Sequence, residues 1–132
     1  MNVVLWILQV VLAAIFLAHG GFMVAPPADM VAMINAQLGH AFRLFLGVAE
    51  VLAALGLILP GLTRIMPWLI QTAAAGLMVV MASATVFHLF RGEYESAVTT
   101  VIIFGLTTAV TYLRWKVRPI APRMLRLRPV SA

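Results

Sequence analysis

Apolar positions fall into four long runs separated by short polar stretches: residues 3–22, 42–60, 67–90 and 97–115. Each is about as long as the ~20 residues that an α-helix needs to cross a bilayer. No alternation of period two stands out, so the pattern predicts an all-α chain, a membrane four-helix bundle. Pro26-Pro27 stops the first run, Pro60 closes the second, and Pro67 stands in the first turn of the third, where no amide donor is needed. The first run lacks a basic n-region and a small-x-small cleavage site, so it reads as a retained helix rather than a signal peptide.

Between the first two runs, Met30, Val31, Met33, Ile34 and Leu38 recur at helical spacing, with Asn35 and Gln37 opposite. This predicts a short amphipathic helix on the outer surface; a merely structured loop is the plainer alternative. The organisation expected is a four-helix domain over 1–115 and a tail over 116–132, basic and broken by Pro119, Pro122 and Pro129. Within the second run, Arg43, Gly47, Glu50, Ala54, Leu57 and Gly61 fall on one stripe of small and polar residues. Small residues let membrane helices approach closely, so this stripe should face the interior.

Composition places the chain in a class. It is 64% hydrophobic and 10% charged, far from the balance of a soluble domain. With no cysteine, disulfides, thiolate metal sites and Cys nucleophiles are excluded. The net charge of +5 does not point to nucleic acid, because six of the nine basic residues, Arg114, Lys116, Arg118, Arg123, Arg126 and Arg128, cluster at and just past the end of the last run. That is the pattern of a tail on anionic lipid headgroups. Seven basic residues on the side of the termini, against Arg43 and Arg91 on the other, put both termini in the cytoplasm. The chain is therefore expected to be a multi-pass protein, in the cytoplasmic membrane if it is bacterial.

Candidate chemistry centres on Glu50, since a carboxylate at a bilayer centre costs roughly 2.5–3.5 kcal/mol on insertion scales. At 1.5 Å per residue, Glu50 lies about 10 Å below the outer surface, with His19 and His88 near that surface and Arg43 at it. Thr85 and Thr100 approach from the third and fourth runs. The expectation is that Glu50, His19, His88, Arg43, Thr85 and Thr100 converge in one outer-half cavity. The threonines have a plainer reading, bonding back to their own helices. Arg43 and Glu50 stand too far apart for a direct pair, whereas His19 or His88 could reach Glu50.

Arg43-x-x-x-Gly47-x-x-Glu50, followed by Ala53-Ala54-Leu55-Gly56-Leu57-Ile58-Leu59-Pro60, resembles the second helix of DoxX-like membrane proteins. Ala84-x-x-x-His88, the Gly20-Gly21 end of the first helix and the four-helix length are similar as well. The resemblance spans about residues 3–115. It implies a small four-helix bundle linked to redox systems, as a subunit of quinone-linked or thiosulfate-oxidising complexes, with assembly factors among the relatives. It also marks Arg43, Glu50 and His88 as functional positions. Many relatives carry a lysine just after the first-helix glycine; here Met23 stands near that place, and His19 one turn earlier would have to substitute.

Three readings follow: an accessory or assembly subunit among other membrane-protein subunits, a site for a quinone-like apolar ligand, and a haem or metal site on His19 and His88. The last is disfavoured, because both histidines lie near the end of the bundle, and no metal ligand set is assigned. Gly-x-Ser-x-Gly, Walker-type loops and HExxH are absent, so no catalytic residue is assigned and a self-contained enzyme is not expected.

Overall fold

A computed structural model describes residues 2–123 and shows only helices among them. In chain order these are α1 (Asn2–Val24), α2 (Ala28–Leu38), α3 (His40–Thr63), α4 (Leu69–Phe90) and α5 (Tyr94–Tyr112), with α5 continued by a π-helical turn over Leu113–Val117. The four long helices are each long and apolar enough to cross a membrane, the last counted through Val117. The fold is the expected four-helix membrane bundle with a short helix in the first connection.

The helix ends depart from the expected bounds at two prolines. Pro60 lies inside α3, which runs on to Thr63. A proline removes one amide donor and crowds the carbonyl four residues back. Here that carbonyl belongs to Gly56, and Pro60 itself stands in the last turn before Thr63, so a single helical bond near the end of α3 is lost. Pro67 sits in the turn before α4, where its carbonyl accepts from the amide of Ile70.

The helices pack as two antiparallel hairpins, α1 with α3 and α4 with α5, and α3 joins them through α4. Gly20 and Gly47 bring α1 and α3 together. A Cβ on either would lie 2.8 Å from the carbonyl oxygen of the other, so only glycine allows the approach. Leu12, Phe16, Ala54, Leu57, Ile70, Ala74, Leu77, Met81 and Val110 form one buried cluster. It lies toward the end of the bundle that carries residue 2, the turn after α3 and residues 118–123, here called the termini end.

Toward the other end, the loop end, burial between the hairpins stops. On α4 no residue beyond Met81 is buried, and on α5 only Ala97 is buried before Thr107. Ala84 and Phe104 pack on the rim of the cluster, half-buried. The α1–α3 hairpin is capped at the loop end by α2, whose Ile34 is buried. Residues 118–123 do not leave the bundle as a free tail: the Arg123 amide donates to the Arg64 carbonyl, and Ile120 packs on the core.

Candidate functional site

All six residues of the expected α3 stripe, Arg43, Gly47, Glu50, Ala54, Leu57 and Gly61, are buried. Their spacing of three and four keeps them on one face, and the glycine contact with α1 turns that face inward. Glu50 is 1% exposed. Its Oε2 lies 2.6 Å from Nδ1 of His19, across the α1–α3 contact. The histidine side chain is 49% exposed, so the pair runs from the packed interior to an open edge.

The expected single cluster is divided in three. His19 and Glu50 form the first part. Arg43, also buried, does not reach Glu50. Its guanidinium donates to the Met23 and Val24 carbonyls, and its Nε–H to Oδ1 of Asn35. It therefore ties the end of α1 and the α2 cap to α3, with His40 Nδ1 at 3.3 Å. The third part belongs to the other hairpin. His88 does not meet Glu50; its Nδ1 lies 2.6 Å from Oε2 of Glu93, in the turn between α4 and α5. Arg91 Nε–H donates to the other oxygen of Glu93 at 2.7 Å. These contacts, Arg91 first and His88 second, hold the exposed Glu93 carboxyl below its ordinary value.

Thr85 and Thr100 face each other with their hydroxyls 2.8 Å apart. Each also bonds back to its own helix, at the Met81 and Ala97 carbonyls, as the plainer reading expects. They link α4 to α5 and bond neither to Glu50 nor to a histidine.

A second polar hub lies at the termini end. Arg114, expected on lipid headgroups, is instead 1% exposed. Its Nε–H donates to Oε1 of Gln9 at 2.6 Å, and one terminal nitrogen donates to Oδ1 of Asn2 at 2.8 Å. The guanidinium also stands over the Trp6 ring, 5.4 Å from its centroid. Gln9 in turn donates to the Leu57 carbonyl, and Gln71 to the Arg114 carbonyl. Position at the end of the last apolar run suggested an exposed cation. What turns Arg114 inward is its place on the α5 stripe with Thr107 and Thr111, opposite Gln9. Lys116, Arg118 and Arg123 are exposed, while Arg126 and Arg128 lie outside the described residues.

Asn35, Glu93, Asn2 and Gln9 are the polar partners that the expected site omitted. Glu93, five residues after His88 and two after Arg91, was within local reach and offered the clearest signal. Among the described residues no three His, Cys, Asp or Glu side chains gather as a metal site would require. His19 and His88 each face a different carboxylate on a different hairpin.

A model of the DoxX-like family matches residues 7–110. The chain belongs to the DoxX-like family. The match takes in α3 and α4 of this DoxX-like protein whole and most of α1 and α5, and it stops before Arg114 and the residues that follow it. Comparison with the curated proteins gives no match, and comparison with the solved structures gives none either.

Proposed function

We propose that this DoxX-like protein is an accessory or assembly subunit of a larger membrane complex, redox-linked as the family resemblance implies. In this reading a helix of the partner completes the loop-end half of the bundle. The observation that supports it is the early end of the core: buried residues join the two hairpins only from the Phe16–Met81 layer toward the termini end. Beyond that layer the inward line of α4 continues through Ala84, Thr85 and His88, each half-buried. Small residues and hydroxyls are what membrane helices use to pack against a neighbour. With the termini in the cytoplasm, as the bias of basic residues favours, the open half faces the outer leaflet. Purification from the native membrane in mild detergent should retain a second membrane subunit at fixed stoichiometry. Recovery of a stable, lone monomer contradicts the proposal.

The His19–Glu50 pair favours a second reading, a quinone-like ligand at the same half. A half-exposed imidazole beside a buried carboxylate can donate to a ligand carbonyl and pass one proton to it or from it. If so, Glu50→Gln and His19→Ala should each weaken binding of a short-chain quinone by about tenfold or more. Unchanged binding in both variants rejects this reading.

A further inference from the structure

The chain carries four acidic residues, Asp29, Glu50, Glu93 and Glu95, and the structure puts every one of them away from the termini end. Glu50 faces His19 and Glu93 faces His88 and Arg91. Residues 124–132 contain neither Asp nor Glu. No side chain of this chain therefore supplies a counter-charge to Arg114. Yet Arg114 is buried, and a buried guanidinium needs an anionic partner or a full set of acceptors. Its acceptors are incomplete. Nε and one terminal nitrogen are bonded, but the other terminal nitrogen, Nη2, is buried with no hydrogen-bond partner among the described residues.

Arg114 also lines a cavity of about 370 Å³ at this end, together with Asn2, Trp6, Gly61, Arg64 and Arg118. Three arginines thus border one opening, and no ion pair involves any of them among the described residues. The cavity is built rather than accidental. The amide of Arg123 donates to the Arg64 carbonyl, folding residues 118–123 over it, and Trp6 packs against Gly61, where a Cβ would lie 2.7 Å from the indole. Trp68 and Trp115 are exposed, and both fall near the same end of the bundle, the aromatic placement of a membrane–water interface.

We infer that this cavity is a phosphate-binding site, in which Arg64, Arg114 and Arg118 receive a phosphate-bearing anion at headgroup depth. Guanidinium groups match phosphate oxygens with paired donors; Arg64 and Arg118 are exposed in the cavity lining, and Arg114 adds a buried positive charge without a carboxylate beside it. The ligand is the phosphodiester of an anionic phospholipid or a free phosphate, and the two share the same donors. The site is independent of the proposed partner surface and lies at the opposite end of the bundle.

The test uses the full chain, delipidated in neutral detergent at near-physiological salt, where diffuse surface attraction is screened. One arm adds phosphatidylglycerol, with phosphatidylcholine as the zwitterionic control, and counts retained lipid by native mass spectrometry. The other adds inorganic phosphate and follows thermal stability. Saturable binding of one phosphatidylglycerol per chain, without a response to inorganic phosphate, supports a lipid headgroup. A response to both supports a general phosphate site. Arg64→Gln with Arg118→Gln should weaken binding at least about tenfold. Both residues are exposed, so the double variant should keep the fold. Lys116→Gln, an exposed cation outside the cavity lining, should leave binding unchanged. No saturable binding in either arm overturns the inference, as does equal weakening by Lys116→Gln and the double arginine variant.

Discussion

Arg114 and Glu50 are each about 1% exposed, and the fold treats them differently. Glu50 meets one imidazole across a helix contact, whereas Arg114 is held by neutral acceptors and an indole face. Gln9 is the pivot of the second arrangement, since its side chain accepts from Arg114 and donates to the Leu57 carbonyl. Gln9→Leu nearly keeps the volume but leaves the buried Arg114 Nε–H without its acceptor. Leaving a buried polar group unpaired costs about 1–3 kcal/mol, so the variant should unfold correspondingly earlier in a detergent titration. A wild-type midpoint would show that Gln9 is not the anchor.

Glu93 gives a second residue-scale expectation, one that depends on pH. Its carboxyl is held below the ordinary value of 4.5, by Arg91 first and then by His88. A depressed carboxyl stabilises the fold above its unfolded value, and that contribution is lost as pH falls through the lowered folded value. Amide-exchange protection of the Arg91–Glu93 turn should therefore drop in the acid range below 4.5. Glu93→Gln should show the reduced protection at neutral pH already. Protection that stays flat on acidification, with Glu93→Gln like wild type, removes the role given to the carboxylate.

Among the elements, α3 was the most legible in sequence. Its six-residue stripe of small and polar positions is the buried face, because helical spacing alone decides which residues share a side. The end of the helix was less so: a proline reads as a stop, yet Pro60 falls in the last turn, where one missing donor is tolerated. The amphipathic α2 formed where its apolar spacing put it, but Asn35, expected on the side away from the apolar positions, accepts from Arg43. Periodicity reports faces and not the buried cation a face will meet. The contact of α1 with α3 depends on Gly20 and Gly47, each within 2.8 Å of the other's carbonyl oxygen if given a Cβ. Gly47→Leu should force these helices apart, at a cost of about 1–3 kcal/mol or more, read as lowered thermal stability. Gly21→Ala, at a position where a Cβ meets nothing within 4 Å, is the matched control and should be near neutral.

For the whole molecule, the sequence contains the height of each polar residue but not its hairpin. Depth along the spans placed Glu50, His19, His88, Thr85 and Thr100 in one half of the bundle. It did not reveal that α1 pairs with α3 and α4 with α5, which divides them between two hairpins. The same limit hid Arg114: a basic residue at the end of the last apolar run looks like the start of a basic tail, and only tertiary packing brings Gln9 and Asn2 to it. The resulting molecule is closed at the termini end and joined by few buried side chains at the loop end. In the proposed assembly another membrane chain covers this open half.

Site-specific photo-crosslinking in the native membrane tests that claim most directly. The photoreactive residue replaces Ala84, which continues the inward line of Ile70, Ala74, Leu77 and Met81. The control replaces Val79, which is 68% exposed and points away from that line. One discrete crosslinked protein band is expected from position 84 and only lipid adducts from position 79. Lipid adducts alone from both positions, or the same protein band from both, would contradict it.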